Sequence, residues 1–299
     1  MKIINYLTLF LSGLFIAFII STQWSEINKL TWSININLFI ISLLFLSIIY
    51  YLAAMGWHLI LKSDNQNILY LKSLQIWIFS AFYRYIPGII WPYISRIHLT
   101  NKENISKASC IKSILIENVL ISISSISVGL PTIYYILKSN SVFMSLLLFL
   151  SILFISLLTI KKHAAHLIKS ATKFFNLTPT KILKLFLFYF FYWILFSSNF
   201  FILYIALFGN SNIYSIKSIY IATSFSVSFL IGFISSLSPS GIGIREAALY
   251  SILILHIPIP EATILAIISR LWLIGGEIIT FLLTLLIKAY LKEKISRLK

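Results

Sequence analysis

From Ile34 to Leu61 the chain carries no Asp, Glu, Lys or Arg, and most of its side chains are aliphatic or aromatic. A run of this kind has few ways to fold. At ~1.5 Å per residue, about 20 apolar residues cross the hydrocarbon layer of a bilayer as one helix. Within lipid the backbone must satisfy its own polar groups, which the helix does. Similar runs occupy Ile3–Ile20, Ser109–Leu137, Ser141–Ile160, Lys181–Phe208 and Glu261–Ile287. Two further apolar stretches are interrupted. Ile68 to Ser95 breaks at Pro87-Gly88, and Tyr214 to His256 breaks at Ser238-Pro239-Ser240-Gly241. Ile3–Ile20 is long for a signal-peptide core, and no small-residue cleavage site follows at Ser21–Trp24, so it reads as a retained span. Composition agrees: 59% of residues are hydrophobic and 11% charged, against roughly 45–50% and about 25% in soluble chains. The expected fold class is therefore all-α: a polytopic membrane protein with one transmembrane domain over 1–299, about six full spans and two interrupted segments.

The formal net charge of +16 can suggest a nucleic-acid partner. Here the bases sit in short segments between apolar runs, which reads as membrane topology, and no nucleic acid is expected. With the N-terminus placed in the cytoplasm, eighteen of the 24 basic residues, Arg96 among them, flank the cytoplasmic side. Only Lys29, Lys138 and Lys217 fall outside, and Arg84, Arg245 and Arg270 lie within apolar segments. Both termini are then cytoplasmic, in a cell inner membrane. Both flanks of 68–95 are basic, so this segment is expected to enter and return on the cytoplasmic side. The segment 214–256 would do the same from outside. Two hairpins entering from opposite faces suggest an inverted repeat, with halves 1–160 and 181–299 and a site near the midplane. An ordinary eight-span bundle is the rival reading. Residues 161–180 read either as a basic amphipathic linker helix on the anionic leaflet or as a solvated basic loop.

Ionisable residues inside spans are costly and are usually paired or functional. Six stand out: Arg84, Glu117, Arg245, Glu246, Arg270 and Glu277. In Ser238-Pro239-Ser240-Gly241-Ile242-Gly243-Ile244-Arg245-Glu246, Pro239 ends one half-helix. Gly241 and Gly243 allow unusual dihedrals and close approach of a ligand. A new half-helix begins near Ile242–Ile244, and its free N–H groups favour an anion. Arg245 adds a planar fork suited to phosphate, and Glu246 can hold it in place. The plainer reading is a kinked helix with Arg245 paired structurally. The first break, Arg84-Tyr85-Ile86-Pro87-Gly88, repeats the idea with an arginine before a helix breaker. Nearby Tyr93 reads as part of an interfacial aromatic belt more readily than as the lining of a slot. Arg270 and Glu277 lie two turns apart on one face, ~10.5 Å along the axis. Arg270 is expected to meet Glu246 or a substrate anion, Glu277 to meet Arg245 or Arg84, and Glu117 to meet Arg96 or Arg84.

Other chemistries find little support. One cysteine, Cys110, excludes an intramolecular disulfide. His163 and His166 have no thiol or acid ligand beside them. No base adjoins a candidate nucleophilic serine, and no nucleotide-binding glycine loop is present. No catalytic residue, metal or cofactor is expected.

Arg84-Tyr-Ile-Pro87-Gly88, then Ser238-Pro-Ser-Gly241-Ile-Gly243-Ile-Arg245-Glu246-Ala-Ala-Leu, then Arg270-Leu-Trp resemble the lysylphosphatidylglycerol synthase transmembrane-region family. This is the membrane half of the multiple peptide resistance factor, with many short stand-alone members. The resemblance implies movement of a lipid between leaflets. The synthetic domain of the longer relatives is cytoplasmic; after Ile287 only Lys288–Lys299 remain here, so lipid synthesis is not expected. The substrate-binding residues it points to are Arg84, Pro87, Gly88, Pro239, Gly241, Gly243, Arg245, Glu246, Arg270 and Glu277. The expected partner is a membrane phospholipid or a lipid-linked substrate. Two alternatives remain: a membrane phosphatase acting on polyprenyl or lipid phosphates, and a non-catalytic partner of an envelope-biosynthesis enzyme such as a glycosyltransferase.

Overall fold

The computed structural model describes residues 34–85, 90–138, 178–209, 215–235 and 243–297. The expected spans at 3–20 and 141–160 lie outside the described residues. So do positions 161–177 of the basic linker and the two breaks themselves, with Pro87, Gly88, Pro239 and Gly241.

The described chain is helical throughout. Helix α1 (Ile36–Ser63) starts at Asn35, whose Oδ1 accepts from the Leu38 N–H at 3.1 Å, a side-chain cap for an otherwise orphaned donor. Helix α2 (Tyr70–Phe82) runs into a 3-10 turn (Tyr83–Tyr85). Helix α3 (Trp91–Asn101) resumes with Pro92 in its first turn, where proline's missing donor costs nothing. Helix α4 spans Lys107–Lys138. Helix α5 (Pro179–Phe208) is capped by Thr178 and ends at Gly209, whose φ of 75° stops it. Helix α6 spans Ile216–Ser235. Helix α7 (Ile244–Leu253) begins after Gly243 at φ 84°. Helix α8 spans Ile259–Arg297.

Five of these are long and apolar enough to cross a membrane: Ile36–Ser63, Lys107–Lys138, Pro179–Phe208, Ile216–Ile234 and Ile259–Tyr290. Four coincide with expected full spans. The fifth is the first arm of the second interrupted segment, which differs from a hairpin with two short arms. No glycine–proline pair interrupts Ile216–Ser235, so the helix runs 20 residues, about 30 Å, before the break. Helices α2, α3 and α7, at 13, 11 and 10 residues, fall short of that.

The surface is apolar where a soluble protein's would be polar. On α1, Ile36, Ile40, Leu44 and Ile48 recur every fourth residue and are exposed, while Ser42 and Ser47 are buried. Such a large exposed apolar face suits lipid contact. Inside, Trp57, Trp193, Trp272, Tyr189, Phe200 and Phe225 are fully buried.

Cross-helix bonds give the directions. Helices α1 and α5 run antiparallel: the Asn35 N–H donates to Ala206 O (2.8 Å), Asn199 Nδ2 to Ser42 O (3.0 Å) and Lys181 Nζ to Ser63 O (3.3 Å). Helices α1 and α8 run parallel, through Trp272 Nε1 to Ser42 Oγ (2.9 Å) and Tyr51 Oη to Thr280 O (3.4 Å). Lys72–Glu103 (2.8 Å) and Lys112–Asp64 (2.6 Å) gather the end of α1, the start of α2, the end of α3 and the start of α4 at one end of the bundle. At the other end, His256 lies 5.0 Å from Tyr220 and 4.3 Å from Tyr135, ring to ring, and Tyr204 donates to Glu261 at 3.2 Å. Each broken segment thus starts and finishes at one end of the bundle, and the two use opposite ends.

Candidate functional site

Between the two broken segments lies a cavity of about 380 Å³. Arg84, Arg96, Glu117, Arg245, Arg270 and Glu277 reach its lining, alongside Tyr85, Trp77, Tyr192 and Phe225. Glu246 stands directly behind Arg245. Residues from five different elements therefore bring four guanidiniums and three carboxylates together within an otherwise apolar body.

Three ion-pair groups organise these charges. Glu246 accepts from Arg245 Nη2 at 2.7 Å and lies 3.7 Å from Arg270 Nη1. Its other oxygen accepts from the Gly243 N–H at 2.7 Å. One of the N–H groups expected to be free at the half-helix terminus is therefore already taken by the chain's own carboxylate. The reason is spacing, because a glutamate three residues past the N-cap reaches back to the cap N–H.

Glu277 receives Arg84 Nη1 at 3.1 Å and Tyr85 Oη at 2.7 Å, with Tyr50 Oη at 3.4 Å. Arg84 also donates through Nε to Ala81 O at 2.9 Å. The third group pairs Arg96 with Glu117. Trp77 Nε1 donates to the other Glu117 oxygen at 2.7 Å, and the Arg96 guanidinium lies over Trp57 (5.2 Å) and Trp77 (5.5 Å). Arg96 is 7% exposed. It is a buried member of the site rather than a cytoplasmic flank, because α3 turns it inward beneath α1 and α2.

Charge is not balanced. Four arginines against three glutamates leave one formal positive charge among the described residues of the cluster. Arg245 Nε is buried and has no hydrogen-bond partner there, while the guanidinium lies 5.6 Å from the Phe225 ring. A buried, unsatisfied cationic donor is expensive unless something supplies the acceptor.

Of the residues singled out from sequence, Arg84, Gly243, Arg245, Glu246, Arg270 and Glu277 converge here. Tyr93 also lines the cavity, with its Oη accepting from Asn118 Nδ2 at 3.4 Å, so it is not simply an interfacial belt residue. Tyr50, Trp77 and Tyr85 were not anticipated. Phenol and indole groups in mid-membrane need polar partners, and that need was their only sequence signal. Among the described residues no three His, Cys, Asp or Glu side chains gather as metal ligands.

The chain matches no curated protein and no solved structure. The family model described as the lysylphosphatidylglycerol synthase TM region matches residues 5–286. This multi-pass helical membrane protein therefore belongs to that family.

Proposed function

We propose that the cavity binds the phosphate of an anionic phospholipid or lipid-linked head group, and that the protein moves this lipid between leaflets. One observation carries the reading: four arginines, from the two broken segments and α8, line one cavity with one positive charge in excess among the described residues, and Arg245 Nε is buried with no hydrogen-bond partner among them. A phosphate supplies the missing charge and acceptors. Arginine's fork binds it bidentately, with charge-assisted strength. The aromatic and aliphatic walls suit the glycerol and acyl portions of a lipid.

In this reading the broken segments dip into the membrane from opposing faces and meet near the midplane as an inverted repeat. The basic residues at the Lys72–Glu103 end of the bundle (Lys62, Lys72, Lys102, Lys107, Lys112, Lys181 and Lys184) favour a cytoplasmic position for that end, in an inner membrane. Binding and translocation need no covalent chemistry, so the protein acts as a carrier rather than an enzyme.

The test is a leaflet-exposure assay in proteoliposomes containing labelled phosphatidylglycerol. Wild type should accelerate transbilayer movement, and Arg245→Ala should reduce it to the protein-free rate. Equal rates for both would remove Arg245 and the cavity from the mechanism.

A further inference from the structure

The three carboxylates of the cluster are not held alike. Glu246 has two arginines and a backbone N–H, and losing it would uncap α7. Glu117 is locked between the Arg96 fork and the Trp77 indole, with side-chain exposures of 8% for Arg96 and 4% for Glu117. Glu277 differs. Its one direct ion-pair partner among the described residues, Arg84, stands on a three-residue 3-10 turn beside the first break and is 31% exposed. Its other hydrogen-bond partners among the described residues are the phenols of Tyr85 and Tyr50. Arg84–Glu277 is therefore the pair that an incoming anion can open most easily.

We propose that Glu277 is a proton-exchange site coupled to anion binding, an inference that rests on the lipid-binding reading above. A phosphate entering the cavity takes Arg84 from Glu277. Glu277 is 7% exposed. It faces Tyr50 from α1, Arg84 and Tyr85 from the turn after α2, and Tyr192 from α5. On its own helix Arg270 stands seven residues before it and feels its charge. Arg270 is engaged with Glu246 and lies 6.0 Å from the Tyr85 ring, so among the described residues no uncommitted cation replaces Arg84. A buried carboxylate without its cation is costly, and it takes up a proton. The phosphate then takes the place of Glu277 as the counter-charge of Arg84, and the proton removes the charge of the displaced carboxylate. Lipid and proton enter as a pair, and each favours the other.

The experiment measures binding of short-chain phosphatidylglycerol to the purified full-length protein from about pH 4 to about pH 9, a range spanning the ordinary glutamate and imidazole values. The phosphodiester keeps its single charge throughout. Wild-type affinity should weaken with rising pH, by up to about tenfold per pH unit where one proton is taken up. Glu277→Gln should flatten this dependence and bind more tightly at the alkaline end, because no anion competes for Arg84. Tyr85→Phe keeps the carboxylate but removes a donor that favours its charged form. It should move the sensitive range to higher pH, and it keeps the idea testable if Glu277→Gln does not fold. Undiminished pH dependence in Glu277→Gln, an unmoved range in Tyr85→Phe, or pH-independent binding by wild type would each overturn the proton site while leaving lipid binding intact. Absence of binding at every pH would overturn the proposed function, and this inference with it.

Discussion

Gly232 on α6 lies directly against the stem of Arg245 on α7: a Cβ at position 232 would come within 2.8 Å of Arg245 Cβ. The two arms of the second broken segment touch at this point, and the absent side chain sets where the guanidinium sits. Gly232→Ala should raise helix propensity by ~1 kcal/mol yet push Arg245 out of place, with overpacking of about 1–3 kcal/mol. Lipid transport should fall several-fold while the protein still folds. Transport assays beside thermal unfolding in detergent check this, and unchanged transport would show that Arg245 has room to spare.

Glu117→Leu should be among the most damaging single changes, because it leaves Arg96 buried beside two indoles without a counter-charge. The cost is about 3–5 kcal/mol for breaking a buried pair. Arg96→Met combined with Glu117→Leu should recover most of that stability, because neither charge is then left alone. A double-mutant cycle on thermal stability measures the coupling.

Helices α1 and α8 meet through Gly276, where a Cβ would clash with the Leu46 side chain, and through Gly275 beside Leu43. Small residues allow such close approach between membrane helices. Gly276→Ala should destabilise by about 1–3 kcal/mol. Leu46→Ala alone leaves a cavity and costs about 2–5 kcal/mol. The double variant should be less destabilised than the sum of the two. Strict additivity would show that these positions do not share the contact.

Ser42 joins three helices: its backbone oxygen accepts from Asn199 and its hydroxyl from the buried Trp272 indole at 2.9 Å. Ser42→Ala keeps the first bond and orphans the second. The expected cost is about 1–3 kcal/mol, the penalty for a buried donor left unmet. Ser42→Thr, which retains a hydroxyl, should cost less. Equal losses in the two variants would count against the hydrogen bond.

Much of this architecture was legible in local composition. Each long apolar run had to become a helix in lipid, so the spans at α1, α4, α5 and α8 followed from length alone. Proline and glycine marked the breaks. Charged residues inside oil announced themselves through their desolvation cost, which is why Arg84, Arg245, Glu246, Arg270 and Glu277 could be named in advance.

Partnership was legible only in part: Arg270–Glu246, Arg84–Glu277 and Arg96–Glu117 were each one of two expected alternatives, and the structure selects among them. Tyr85 meets Glu277 across 192 positions of sequence, and nothing near either residue specifies the other. Arg96 read as a cytoplasmic flank because it follows an apolar run, yet the rotation of α3 turns it between Trp57 and Trp77. The half-helix terminus read as an open anion site, yet Glu246 folds back to take its Gly243 N–H. Hydrophobicity dictates which residues enter the membrane because it acts on each segment by itself. Which face of one helix meets which face of another depends on shape and charge complementarity between segments far apart in the chain, and that emerges only when they pack.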